Sequence, residues 1–127
     1  MEDDSLFNAG LGSQIQSDGK IRMSASLMDT TTQKMSGVVN IEDVKNPIEI
    51  AKILMNEDDR ILGGEGALEY ARKNNFTYYS PELPQRRQEY ELKKNNGGKG
   101  TVGCVVIDER GTLAVATSTG GKGFELP

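Results

Sequence analysis

At residue 100 the chain changes character abruptly. Upstream, Asn95-Asn96-Gly97-Gly98-Lys99-Gly100 carries no apolar side chain, and Arg86, Arg87, Glu89, Glu91, Lys93 and Lys94 before it alternate in sign. Downstream, Val102, Cys104, Val105, Val106 and Ile107 make a near-continuous apolar strand, and Leu113, Ala114, Val115 and Ala116 make a second. Strands apolar on both sides belong in a sheet covered on both faces. The Asn/Gly stretch reads as a flexible tether over about 93–100, and the charge run as a solvated helix face.

The turn between the two apolar strands fixes their register. Asp108-Glu109-Arg110-Gly111 supplies it, with Gly111 suited to the left-handed position of a three-residue loop. If 109–111 form the loop, Asp108 pairs with Thr112, and counting outward places Thr101 opposite Thr119. Directly paired residues share one face, so two threonine hydroxyls meet where the first strand begins. The register assumes no further bulge. Threonine favours strands and Thr–Thr pairs are ordinary, so the pairing by itself assigns no chemistry.

Before the tether, elements are predicted by periodicity. Residues 1–19 read as loop. Over 20–28, Ile21, Met23, Ala25 and Leu27 alternate with Lys20, Arg22, Ser24 and Ser26, a half-buried strand. Residues 34–41 form its partner, weakened at Gly37. Asn46-Pro47 opens a helix, with Asn46 as cap, Pro47 in the first turn and Glu49 at the capping-box position. A second helix is predicted near 65–74 and a third from Ser80-Pro81 towards Lys94. Gly63-Gly64-Glu65-Gly66 suits an anion cradle or a plain tight turn, and the turn is favoured because no strand or Walker lysine accompanies it. Cys104, mid-strand, reads as core packing.

Composition narrows the chemistry. The chain has 127 residues and 35% apolar content, which suits one domain or part of one. A net charge of −4 leaves no electrostatic footprint for nucleic acid. Met1-Glu2-Asp3-Asp4 is acidic and no long apolar run follows, unlike a secretory leader or a membrane span. The single cysteine fits a reducing, cytoplasmic setting. The chain contains no histidine, which excludes Ser-His-Asp and Cys-His catalysis from within it and removes the commonest zinc ligand. Hydrolysis here needs another base. An N-terminal amine, with an ordinary pKa of about 7.7–8.0, is one.

Five segments in sequence then resemble one family. Gly100-Thr101-Val102-Gly103-Cys104-Val105-Val106-Ile107-Asp108 is similar to the self-cleavage segment of the plant-type asparaginases and isoaspartyl peptidases, which are N-terminal-nucleophile hydrolases. Ala116-Thr117-Ser118-Thr119-Gly120-Gly121 resembles their second threonine motif, and Leu6-Phe7-Asn8-Ala9-Gly10-Leu11-Gly12-Ser13 their first loop. Ser26-Leu27-Met28-Asp29 and Lys45-Asn46-Pro47-Ile48 fall between in the family's order.

The resemblance implies an α/β (α+β) fold, part of a four-layer αββα sandwich. Residues 1–100 would be an α-subunit-like segment ending in the tether, and 101–127 the start of a β-subunit-like segment. It implies self-cleavage between Gly100 and Thr101, with Thr101 as nucleophile, Thr119 orienting it and Asn8 beside the site. The activity implied is hydrolysis of β-aspartyl amide bonds in isoaspartyl dipeptides and L-asparagine. Glycosylasparaginase-type hydrolysis, or an inactive interaction piece, are the alternatives. Backbone carbonyls of Met1, Glu2, Asp4, Phe7, Ala9 and Leu11 would hold a structural sodium ion, and no cofactor is implied for the chemistry. The complete enzyme would be an (αβ)2 dimer of heterodimers, without nucleic-acid or membrane partners. The family's strand and Gly-rich turn before Met1, and its substrate-binding Arg and Asp and oxyanion Thr-Gly after Pro127, have no counterpart here. The fragment alone is therefore expected to be inactive. Ser24 and Thr30 stand where many relatives carry an acidic residue and a glycine, which leaves substrate preference open.

Overall fold

A computed structural model describes residues 1–93, 101–121 and 126. Five strands and three helices give a mixed α/β architecture: β1 (Met23–Asp29), β2 (Lys34–Ile41), α1 (Pro47–Leu54), β3 (Ile61–Gly63), α2 (Gly64–Lys73), α3 (Pro84–Lys93), β4 (Val102–Ile107) and β5 (Leu113–Thr119). The strands form one sheet in the order β3-β2-β1-β5-β4. β3 runs parallel to β2, and the other neighbours are antiparallel. The sequence periodicity missed β3, which is three residues long and precedes the glycine-rich turn into α2. Gly63 is simply the residue before the helix.

α1 packs on β1, β2 and β5, and α2 on β2 and β3. The core lies between this helix layer and one sheet face: Met23, Val38, Ile41, Val44, Ile50 and Leu54 are fully covered. Burying a side chain of that size is worth about 1.5–3 kcal/mol. Val38 and Ile41 both reach the core because the β1–β2 register shifts between Met23 and Ala25. The extra residue re-aims the strand, and Asn40 takes the left-handed conformation there at φ 53°. Ser36 is covered too, and its hydroxyl donates to the Ala51 carbonyl at 2.6 Å.

The apolar hairpin differs from expectation. Its register is the one its turn dictates, with Val102 opposite Ser118 and Ile107 opposite Leu113. Neither face of β4 is covered by the described residues, however: Val105, Val106 and Ile107 are 69%, 55% and 66% exposed. Cys104 is exposed as well and not part of the core. β4 is the edge strand, beyond the elements that α1 and α2 pack on.

Two helix details are also corrected. α3 starts at Pro84, three residues after the predicted Ser80-Pro81 opening. Leu83 precedes a proline, which disfavours helical backbone, so a helix cannot run through it unperturbed. Nor is the charged run on α3 simply a solvated face. Arg86 donates to the Gly12 and Ser5 carbonyls at 3.0 and 3.2 Å, Arg87 to Gly19 at 3.2 Å and Tyr90 to Ser17 at 3.1 Å. α3 thereby clasps the first loop. It runs to Lys93, and the rest of the predicted tether, 94–100, lies outside the described residues.

Candidate active site

Side chains alternate along a strand. Ser118 points to the helix-covered face and is buried, so its neighbours Thr117 and Thr119 project from the opposite face. Thr101, immediately before β4, projects from that same face. Its hydroxyl oxygen lies 3.1 Å from that of Thr119, a hydrogen bond in which either can donate. Thr119 Oγ1 also accepts the Gly121 N–H at 3.0 Å. That bond occupies one lone pair of the Thr119 oxygen. Gly100, on the other side of the expected cleavage bond, is outside the described residues.

Asn8 supports this arrangement from the first loop. Its carbonyl accepts the Gly120 N–H at 3.1 Å, and its side-chain amide donates to the Gly121 carbonyl. Its Oδ1 accepts the Gln14 N–H at 2.9 Å. The structure thus places Asn8 around the Gly120-Gly121 turn whose N–H holds Thr119. The loop packs so closely that glycine is needed: a Cβ on Gly120 would lie 2.4 Å from Ser13 Cβ, and one on Gly10 (φ +54°) 2.3 Å from the Glu2 carbonyl.

Of the carbonyls expected to face a cation, four accept backbone N–H groups: Met1 from Asp4 (3.1 Å), Glu2 from Leu11 (2.8 Å), Asp4 from Phe7 (3.2 Å) and Ala9 from Gly12 (3.2 Å). Each carbonyl oxygen has a second lone pair. Among the described residues, no group of three or more His, Cys, Asp or Glu side chains is placed to hold a metal.

The Glu2 side chain is a feature that sequence reasoning missed. Asn46 was the expected cap of α1 but makes no capping bond with its side chain. It donates instead to Asp3 at 3.3 Å. The Ile48 N–H is taken by the Glu2 carboxylate at 3.2 Å, and Ser118 Oγ donates to the same carboxylate at 2.5 Å. Burial pushes the Glu2 carboxyl above its ordinary value, against the pull of the bonds from Ser118, Ile48 and Asn46. Nothing local in the sequence links Glu2 to Ser118; their meeting is a product of the fold.

Among the described residues, no helix is long and apolar enough to cross a membrane. Comparison with known proteins places the chain clearly. It matches the family model described as asparaginase over residues 1–96 and 81–127. It is 45% identical to an isoaspartyl peptidase/L-asparaginase of Nostoc, covering 98% of this chain and 46% of that protein. It is 42% identical to one of Synechocystis, over 98% and 44%. To a plant-type L-asparaginase of Pyrobaculum calidifontis it is 38% identical, over 100% and 48%. The chain spans about half the length of these curated relatives. With a family model matched along its length and relatives this similar across it, the chain belongs to the asparaginase family.

Proposed function

We propose that this chain is part of a hydrolase that cuts β-aspartyl amide bonds, in isoaspartyl dipeptides and L-asparagine, with Thr101 as nucleophile. The observation that carries the proposal is the 3.1 Å contact between the Thr101 and Thr119 hydroxyls, with Thr119 itself held by Gly121. The names of the relatives support the substrate class.

The mechanism follows from the residues present. In the precursor, Thr101 Oγ1 attacks the Gly100 carbonyl carbon. The C–N bond to Thr101 breaks, its nitrogen takes a proton, and an ester to Oγ1 replaces the amide. Water hydrolyses the ester, leaving the Gly100 carboxylate and a free Thr101 α-amine. That amine then serves as base for its own hydroxyl, which supplies what the missing histidine cannot. Thr119 polarises the Thr101 hydroxyl in both reactions, and Asn8 holds the turn that aims Thr119.

Residues 1–100 form the α-subunit segment in this reading, and 101–127 open the β-subunit. The mature enzyme is a cytoplasmic (αβ)2 assembly acting on a small molecule. The carbonyls of Met1, Glu2, Asp4, Phe7, Ala9 and Leu11 hold a sodium ion that stiffens the loop bearing Asn8. The 127-residue chain alone has little or no activity, because the groups for the substrate's α-carboxylate and the oxyanion lie elsewhere in the family pattern.

Hydrolysis assays test the reading. A full-length protein containing this chain should release ammonia from L-asparagine and cleave an isoaspartyl dipeptide. Thr101→Ala should abolish both. Undiminished turnover in Thr101→Ala would remove Thr101 from the mechanism.

A further inference from the structure

Glu2 stands in the acidic run Met1-Glu2-Asp3-Asp4, yet it is only 6% exposed. Its carboxylate fills a gap between the start of α1 and the end of β5. Ser118 Oγ donates to it at 2.5 Å, and the Ile48 N–H reaches both oxygens, at 3.2 and 3.4 Å. Bonds to an ionised acceptor are roughly twice as strong as neutral ones.

One buried carboxylate thus joins the first turn of α1 to Ser118, the residue next to Thr119 on β5.

We propose that Glu2 is a positioning residue for the threonine pair. By holding Ser118 Oγ on the helix face, it fixes the backbone from which Thr119 projects, on the other face, to meet Thr101. The proposal rests on the reading of Thr101 as nucleophile.

Among the described residues, few charged groups line the cleft beside Glu2. The first loop contributes the Met1 α-amine and Asp3, the latter paired with Lys45 at 2.9 Å. α1 contributes Glu49 beside the uncharged Asn46 and Ile48. β4 and β5 contribute Val102, Ala116, Thr117 and Ser118, all uncharged.

The test uses a full-length protein containing this chain, with Glu2→Gln, Ser118→Ala, their combination, and Thr101→Ala as control. Self-cleavage rates and melting temperatures are measured at neutral pH. Glu2→Gln keeps the size of the side chain but replaces one accepting oxygen by a donor, and it should remain folded. It should nevertheless cleave itself about 10- to 100-fold more slowly, the loss expected when a reacting group is displaced by up to an ångström. Ser118→Ala should slow cleavage comparably, and the double variant should be no slower than the slower single one, because both act on one link. Cleavage at the unsubstituted rate in both single variants, slowing in Glu2→Gln that only tracks a lower melting temperature, or multiplying effects in the double variant would each overturn the proposal. The control separates the two readings. If Thr101→Ala still cuts, the threonine reading has failed. If Thr101→Ala is uncut while both single variants cut normally, only the role of Glu2 has failed.

Discussion

The hydroxyl oxygens of Thr101 and Thr119 lie 3.1 Å apart across the β4–β5 hairpin. The Gly121 N–H donates to Thr119 Oγ1 at 3.0 Å, so the pair is oriented as well as close. This geometry puts the Thr119 hydroxyl within hydrogen-bond reach of the proposed nucleophile, and its removal should affect self-cleavage and turnover alike. Thr119→Val keeps the branched shape and deletes the hydroxyl. We expect both rates to fall by about 10²-fold or more, the usual worth of a positioned proton-transfer partner, while Thr119→Ser retains most of each. Normal rates in Thr119→Val, measured by mass spectrometry and ammonia release, would contradict this role.

Asn8 closes the turn behind Thr119 with both its backbone carbonyl and its side chain. Asn8→Ala removes the side-chain bonds and strands the Gln14 N–H and the Gly121 carbonyl. Both partners are half-buried, so the cost sits at the low end of that for stranded buried groups, about 1 kcal/mol. Urea unfolding should show a loss of that order, and self-cleavage should slow with it. A variant as stable as its parent would mean that the Gly120-Gly121 turn does not depend on Asn8.

Ser13 makes the opposite case. It is fully covered, and among the described residues its buried hydroxyl has no hydrogen-bond partner. An orphaned hydroxyl costs about 1–3 kcal/mol. Ser13→Ala keeps the Cβ that packs on Gly120 and should therefore stabilise the protein by about 1 kcal/mol in the same measurement. Destabilisation would show that the hydroxyl has a partner after all.

Some of this was legible in the sequence, and the reasons differ by element. The hairpin register was readable because a three-residue turn with Gly111 at φ +80° leaves little choice of pairing. β1 and the start of α1 were readable because the alternation over 20–28 and Asn46-Pro47 are strong local signals. What failed was non-local. The cap of α1 comes from Glu2, not Asn46, and no spacing rule joins residues 2, 48 and 118. Arg86 looked like one member of a solvated run, yet it anchors the loop that holds Asn8. Apolarity of the hairpin predicted cover on both faces, and the described residues leave β4 exposed.

That bare surface has a consequence for the isolated chain. β4 is an edge strand with Val105 and Ile107 on one face, 69% and 66% exposed. Uncovered apolar edges recruit further strands. The 127-residue chain should therefore self-associate, as seen by light scattering across a concentration series. Val105→Lys with Ile107→Lys should shift it towards monomer. A parent chain that stays monomeric throughout the series would contradict the exposed hairpin.

The central claim concerns the bond between Gly100 and Thr101, and intact-mass analysis of a full-length protein containing this chain tests it most directly. The account predicts two fragments, the second beginning at Thr101, formed in a first-order process independent of protein concentration and stopped by Thr101→Ala. An active enzyme that stays uncut, or a second fragment that begins at any other residue, would contradict it.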